Sequence, residues 1–281
     1  MNASGTAPVL LIAGSVVALG TAWADPGRIT LLLVPLFFLS MTYGAGALLD
    51  RVAGGLLSGS DHPWTATFAV RVGIGLACLS LLTVVCALGG VLWLAGAVAL
   101  PLSAYGFFRT IRAGLQLRLR REDMFSAPAL VVGAAWLVGW LWATIPPTFY
   151  DELAYHLVIP QRALVTGSTW AAPGVLSLMP HASDLLLGWG ILLGGDLGAR
   201  AAVATFWMVC SLAAWGLAEC IAWPRTSPWA APLVISALAA SPMLWFLATL
   251  PFAETALSAA VVTAAVVLAS SSAPTRPWLA L

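Results

Sequence analysis

The sequence contains few charged side chains, and none of its basic residues is a lysine. Asp, Glu, Lys and Arg make up 8% of the 281 residues, whereas a soluble domain carries roughly 25%. So few charges cannot cover the surface of a globular protein of this length. With 61% hydrophobic residues and a mean hydropathy of +0.97, the chain is expected to have lipid as its solvent. Its net charge of +1 gives no reason to expect a nucleic-acid partner.

Paired cysteines and alternating strands are also missing from the sequence. The four cysteines (Cys78, Cys86, Cys210 and Cys220) lie in apolar segments without a CxxC pair or a nearby histidine. We therefore expect buried, reduced thiols. The apolar segments are continuous, which favours helices over a barrel, the other structure that satisfies the backbone in lipid. Because the first ten residues carry no basic group, we expect the first apolar segment to be retained and not cleaved as a signal peptide.

Eight segments approach the length of about 20 apolar residues that a helix needs to cross the hydrocarbon core. They are Pro8–Trp23, Ile29–Leu49, Phe68–Leu88, Val91–Phe108, Ala127–Ile145, Gly198–Ile221, Trp229–Leu247 and Phe252–Ser270. A ninth segment, Ser183–Leu193, is apolar but short. The sequence thus predicts an all-α, polytopic transmembrane bundle of about eight or nine spans.

A cluster of arginines between the fourth and fifth predicted spans sets the expected orientation. It consists of Arg109, Arg112, Arg118, Arg120 and Arg121. Short arginine-rich loops stay on the cytoplasmic side of a membrane. Counting spans from this loop places the N-terminus in the cytoplasm and the segment 146–182 on the outer side. A compatible alternative is that the arginines bind anionic lipid headgroups.

This topology divides the chain into three parts. Residues 1–108 form a predicted N-terminal region of four membrane helices, and residues 109–126 form the basic cytoplasmic loop. Residues 127–281 form a second membrane region, which contains the outer segment 146–182. That segment is the longest polar interruption in the chain, so any chemistry is expected there.

The outer segment begins with IPPTFYDELAYHLVIPQR, which predicts a short helix on the membrane surface. The helix is expected to cover Asp151–Ile159 and to end at Pro160, because proline does not continue a helix easily. Leu153, Leu157 and Val158 are expected to dip into the bilayer surface, as in interfacial amphipathic helices.

Two adjacent carboxylates, Asp151 and Glu152, open this predicted helix. A carboxylate can act as a general base towards an acceptor hydroxyl, or it can hold a divalent cation such as Mg²⁺ or Mn²⁺. Arg162 could neutralise a phosphate. A purely structural interpretation also fits, because Thr148 and Asp151 have the spacing of a capping box and acidic groups stabilise a first helical turn. Asp184 could likewise be either a helix cap or a site residue.

The stretch PPTFYDELAYHLVIPQRALVTGS resembles the first outer loop of GT-C glycosyltransferases. Its nearest likeness is to the bacterial branch related to protein O-mannosyltransferases and aminoarabinose transferases. The matching positions are Tyr150, Asp151, Ala154, Tyr155, His156, Leu157, Pro160 and Gly167. Weaker matches follow in order at Pro180, Asp184, Gly195, Asp196, Arg200, Ser241, Pro242 and Glu254. The resemblance covers about residues 127–270.

The resemblance implies an inverting sugar transfer from a polyprenyl-phosphate donor to an acceptor, at the outer face of the bacterial inner membrane. Asp151 would be the catalytic base or would orient the acceptor, and Glu152 would support it or hold a metal. Substrate-binding residues implied by the resemblance are Tyr155, His156, Arg162, His181, Asp184 and Glu254. Some members of this superfamily use a divalent cation and others do not, so metal dependence stays open.

Members of this superfamily usually continue for several more helices beyond the position of Leu281. We therefore expect either a fragment or a chain whose bundle is completed by a partner subunit. Two other functions remain open, a non-catalytic membrane scaffold and a transporter of lipid-linked substrates. The side of Glu254 is open as well: it is cytoplasmic if Ser183–Leu193 crosses the membrane, and outer if that segment is only half inserted.

Overall fold

The computed structural model describes residues 31, 33–53, 64–116, 134, 140–141, 143–145, 153, 156–169, 182–222 and 253–271. These residues are helical apart from short turns, and no strand occurs among them. The described helices are α1 (Leu33–Val52), α2 (Trp64–Leu88), α3 (Leu92–Gln116), α4 (Val158–Thr166), α5 (Ala182–Ala222) and α6 (Ala253–Ser271). The predicted all-α class is therefore confirmed for this part of the chain.

Four of the described helices are long and apolar enough to span a membrane, which supports an integral membrane protein. α1, α2, α3, the later part of α5 and α6 coincide with five of the eight predicted spans. The spans predicted at Pro8–Trp23 and Trp229–Leu247 lie outside the described residues, and Ala127–Ile145 is described at only a few positions. The total of eight or nine spans stays a prediction.

Small residues let the first three helices approach one another closely. A side chain at Gly44 of α1 would overlap the carbonyl oxygen of Leu102 in α3, and one at Gly75 of α2 would overlap that of Thr42 in α1. Membrane helices pack through such small residues because lipid provides no hydrophobic drive for association. α1 is thus held between α2 and α3.

α5 is two helices joined by a sharp turn. Its backbone leaves the helical conformation at Gly194 and at Gly195, where φ is 63° and ψ is −150°. That combination is essentially restricted to glycine, because a Cβ would collide with the backbone. We refer to residues 182–193 as α5a and to residues 196–222 as α5b.

The turn folds α5a back against the start of α5b. A side chain at Gly190 would overlap the carbonyl group of Gly198, and one at Gly198 would overlap that of Gly190. In a straight helix these residues would lie about 12 Å apart. α5a is only about 18 Å long, well short of a hydrocarbon core of about 30 Å. The segment predicted as a doubtful ninth span is therefore the short arm of a helical hairpin.

α5b is the central helix of the described bundle. Within Asp184–Ala218, 94% of the most apolar stretch is buried, compared with 17% of the corresponding stretch in α3. Phe206 of α5b meets Phe38 of α1 edge to face, with ring centroids 5.5 Å apart. Near the other end of α5b, Gly216 lies directly against Ala66 at the start of α2. α5b thus runs along α2 in the opposite direction.

α6 also runs antiparallel to α2. Thr263 lies against Gly73, and Val266 packs in one cluster with Ala66 and Ala69. Later positions of α6 therefore meet earlier positions of α2. The first residues of α6 point towards the end of the bundle that contains the α2–α3 turn.

Candidate functional site

α4 is the helix of the predicted outer segment 146–182 that the structure describes. It begins at Val158 and runs through Pro160 to Thr166, with Gly167 as a left-handed cap. The prediction that Pro160 ends a helix is therefore wrong. A proline is tolerated in a first helical turn, where its missing N–H would have no partner within the helix. Leu157 is 2% exposed and belongs to the main core, so its predicted contact with the bilayer surface is also wrong.

Two contacts tie α4 to the end of the bundle at the α2–α3 turn. The amide of Leu92, at the start of α3, donates a hydrogen bond to the carbonyl oxygen of Gly167 over 3.3 Å. Pro160 and Leu164 pack beside Gly188 of α5a. The topology predicted from the arginine cluster places the α2–α3 turn and the segment 146–182 on one side, and the structure has residues 156–169 of that segment at the same end of the bundle as the turn.

The side chains of His156 and Asp184 form a largely buried hydrogen-bonded contact between the segment before α4 and the first turn of α5a. The His156 Nδ1 and the Asp184 Oδ1 are 2.7 Å apart, and the two side chains are 12% and 7% exposed. A carboxylate in a first helical turn is stabilised by the helix dipole. A carboxylate on one ring nitrogen of histidine fixes the orientation of the ring. This contact brings together two of the predicted substrate-binding residues.

Arg200 holds the start of the outer segment against α5b. Its guanidinium donates a hydrogen bond to the carbonyl oxygen of Ile145, the residue before Pro146, and the residue is 3% exposed. A buried arginine that binds a backbone carbonyl at this point sets where the chain leaves the bundle. Arg200 is one of the weaker matches in the sequence resemblance, but no feature of the sequence indicates that it anchors the chain at Ile145.

Arg162 is exposed on the outer face of α4. Its neighbour Gln161 donates a hydrogen bond from Nε2 to the Oδ1 of Asp196 over 2.8 Å, which links α4 to the first turn of α5b. Sequence reasoning did not predict this link, because the two residues are far apart in the chain and have no shared pattern. Together with the packing of Pro160 and Leu164 beside Gly188, this hydrogen bond joins α4 to both arms of the hairpin.

An apolar groove of about 490 Å³ begins within one helical turn of Asp184, because Gly188 in its wall lies four residues later in α5a. Its walls come from the start of α3, the end of α4 and α5a; they include Leu92, Trp93, Gly96, Leu164, Val165, Leu185, Gly188 and Trp189. Leu185 directly follows Asp184. The side chain of Trp93 is 70% exposed, so the groove opens sideways to the surroundings of the bundle. We call it the α4–α5a groove.

Four of the predicted site residues fall outside the described part of the chain. Asp151, Glu152, Tyr155 and His181 lie outside the described residues. Glu254 belongs to the first turn of α6, and its side chain is likewise outside the description. The direction of α6 brings that turn towards the end of the bundle that carries α4. Within the described residues, no three His, Cys, Asp or Glu side chains are grouped to hold a metal ion.

A buried ion pair between Arg71 and Asp50 lies near the C-terminal end of α1, at the end of the bundle away from α4. Arg71 of α2 donates to the Oδ2 of Asp50 from Nη2 over 2.8 Å and from Nε over 3.2 Å. It also donates to the hydroxyl of Tyr43 over 3.3 Å. The ring of Tyr43 stacks on Phe68 at 5.2 Å. These groups bind one another within two regular helices.

No protein-family model, curated protein or solved structure matches the chain. The resemblance to GT-C glycosyltransferases therefore stays a prediction from the sequence motifs.

Proposed function

We propose that this chain is a membrane glycosyltransferase, or a part of one, that uses a polyprenyl-phosphate sugar at the outer face of the membrane. The observation that carries the proposal is the buried His156–Asp184 pair beside the α4–α5a groove. His156 follows the acidic residues Asp151 and Glu152 closely in the chain. A polar, charged centre next to an apolar groove that opens sideways suits a substrate with an ionic head and a long apolar tail.

The proposed reaction is a single displacement at the anomeric carbon of the donor sugar. The acceptor oxygen forms a bond to this carbon as its proton passes to the carboxylate of Asp151. The bond between the anomeric carbon and the phosphate oxygen breaks, and its electron pair leaves with polyprenyl phosphate. The configuration at the anomeric carbon is inverted. Glu152 would hold Asp151 in position or bind a divalent cation.

The phosphate of the carrier requires positive charge or hydrogen-bond donors. In this proposal His156, oriented by Asp184, binds the phosphate through its other ring nitrogen, and Arg162 approaches from the exposed face of α4. Arginine suits phosphate because its planar guanidinium donates two parallel hydrogen bonds. Tyr155, His181 and Glu254 would contact the sugar or the acceptor. The isoprenoid chain would occupy the α4–α5a groove.

Transfer from labelled donors tests the proposal directly. Membranes that contain the full chain are incubated with radiolabelled mannosyl- or aminoarabinosyl-phosphopolyprenol, and transferred label is separated from the acid-labile donor. We expect transfer from one donor class, and a loss of at least about 100-fold in Asp151→Asn, as is typical when a general base is removed. Unchanged transfer in Asp151→Asn would refute the role of this residue.

Binding of the carrier alone provides an independent measurement. Polyprenyl phosphate is titrated into the purified chain, and the unfolding temperature is followed, because a ligand that binds the folded state stabilises it. We expect stabilisation of the wild type and a weaker effect in His156→Gln and Arg162→Gln. Arg51→Gln is the matched control, since Arg51 is an exposed arginine at the end of α1 away from α4. Carrier binding without transfer would favour a scaffold or an incomplete subunit.

The break in α5 favours a second candidate, a transporter of lipid-linked substrates. Discontinuous helices line the substrate sites of many transporters, where they lie near the middle of the membrane. The Gly194–Gly195 turn packs against Leu31, just before the start of α1, and so lies nearer one end of the bundle. Movement of a fluorescent polyprenyl phosphate across proteoliposomes that contain the chain would favour transport over transfer.

A further inference from the structure

The far end of α3 carries two exposed arginines of the basic cluster that sets the expected orientation. Arg109 and Arg112 are three positions apart, so they lie on one face of the helix. Both are exposed, and neither forms an ion pair within the described part of the chain. Arg71 and Arg200, by contrast, are largely buried and bind named partners. The sequence adds Arg118, Arg120 and Arg121 shortly afterwards.

Aromatic side chains on α3 show how this end relates to a bilayer. Trp93 and Phe108 are each 70% exposed, and they lie about 22 Å apart along the helix axis. Exposed aromatic residues mark the two interfaces of a membrane helix. Between them, Val98 and Leu100 are 41% and 65% exposed, as expected for a surface that faces acyl chains.

The two arginines lie where this apolar surface ends. Arg112 is about 30 Å from Leu92 along α3, a distance that matches the hydrocarbon thickness of a bilayer. With Leu92 at one boundary, the guanidinium groups of Arg109 and Arg112 reach the phosphates of the opposite leaflet. Phe107 and Phe108 occupy the adjacent turn, where aromatic rings settle beside glycerol and headgroups.

We propose that the end of α3 is a binding site for the headgroup of an anionic phospholipid, held by Arg109 and Arg112. The site is at the end of the bundle away from α4, so it is independent of the proposed sugar transfer. The arginine cluster predicts that this end is cytoplasmic, and the cytoplasmic leaflet is the one in which anionic lipids attract basic segments. Two guanidinium groups one turn apart can bind the oxygens of one phosphate together.

Lipid titration of the purified full chain tests the site. The chain in neutral detergent is titrated with phosphatidylglycerol or phosphatidylcholine, and retained lipids are counted by native mass spectrometry. One arginine beside an anionic surface contributes about fivefold in affinity. We therefore expect phosphatidylglycerol to bind about fivefold more weakly in Arg112→Gln and about 25-fold more weakly in the double variant with Arg109→Gln. Arg112→Lys retains the charge and should bind within about threefold of the wild type.

Arg51→Gln is the matched control, because it removes one exposed arginine at the same end of the bundle but outside α3. It should leave the affinity within twofold of the wild type. Equal retention of both lipids, unchanged binding in the double variant, or an equal loss in Arg51→Gln would each overturn the proposal. Competition with inorganic phosphate tests whether the site binds a soluble anion. If low millimolar phosphate displaced the lipid, the site would be one for small anions, and the lipid assignment would be overturned.

Discussion

The described part of the chain contains two largely buried contacts between a carboxylate and a basic side chain, and they belong to different kinds of structure. Asp50 and Arg71 join two regular, closely packed helices, and a tyrosine completes their hydrogen bonds. His156 and Asp184 join the segment before a short surface helix to the first turn of a helix that is broken twelve residues later. The side chains of both pairs are largely buried, so burial alone does not distinguish them.

The difference lies in what surrounds each pair. Around Asp50 and Arg71, glycines bring α1 and α2 into close contact, and Tyr43 stacks on Phe68. Near His156 and Asp184, by contrast, α5 breaks at Gly194–Gly195, and its short arm α5a lines the α4–α5a groove. A regular pair of helices uses buried charge to fix its own register. The broken helix places the carboxylate of Asp184 near the α4–α5a groove, which is open to a ligand.

Removal of one partner from the regular pair should have the largest effect on stability. Asp50→Ala leaves the guanidinium of Arg71 buried without its carboxylate. Breaking a buried pair in this way typically costs about 3–5 kcal/mol, so the unfolding free energy in detergent, measured by titration with a denaturing detergent, should fall by that amount. Transfer activity per folded molecule should remain at the wild-type level.

The double variant Asp50→Asn with Arg71→Gln is the control for this first prediction. It removes both charges and so leaves no uncompensated ion in the bundle. Its unfolding free energy should lie closer to that of the wild type than to that of Asp50→Ala. A double variant as unstable as Asp50→Ala would mean that the pair contributes through its packing and not through its charge.

Adding a methyl group to the broken helix should have the next largest effect on stability. Gly190 and Gly188, two glycines of α5a, provide a matched comparison. Gly190→Ala places a Cβ against the backbone of Gly198, which must move. Overpacking of this kind typically costs about 1–3 kcal/mol. In Gly188→Ala the nearest atom, the Cβ of Pro160, lies at 3.5 Å, an ordinary contact, so stability should change by less than about 0.5 kcal/mol. Equal unfolding temperatures for the two variants would contradict the hairpin.

Most of the regular part of the fold could be predicted from sequence. α1, α2, α3 and α6 correspond to continuous apolar segments, because a membrane helix must satisfy its own backbone and present apolar side chains to lipid. Apolar content alone does not separate a helix that crosses from one that turns back. The sequence separates Ser183–Leu193 from the span that starts at Gly198, but it leaves open whether the first segment crosses. The answer depends on the backbone of Gly194 and Gly195.

The sequence singles out His156 and Asp184 separately but does not predict that they pair. His156 and Asp184 were both identified as candidates, yet they are far apart in sequence, and no local rule links them. Pro160 shows the limit of a local rule. A proline predicts a helix boundary, but the same residue is compatible with the end of one helix and with the first turn of the next. Here α4 starts just before it.

Apart from the Gly188→Ala control, the smallest effect on stability is expected when the contact between His156 and Asp184 is weakened. Asp184→Asn retains an oxygen that can accept a hydrogen bond from the Nδ1 of His156, so the unfolding free energy should fall by only about 1–2 kcal/mol, as for a weakened hydrogen bond to a charged group. Under the proposed function, sugar transfer and carrier binding should each fall much further, by about tenfold or more, because the amide orients the imidazole towards the phosphate less firmly than the carboxylate does. Asp50→Ala is expected to show the reverse, a large loss of stability with unchanged transfer. If Asp184→Asn instead lowered stability as much as Asp50→Ala and left carrier binding intact, the two pairs would both be structural, and the distinction between the regular and the broken part of the bundle would fail.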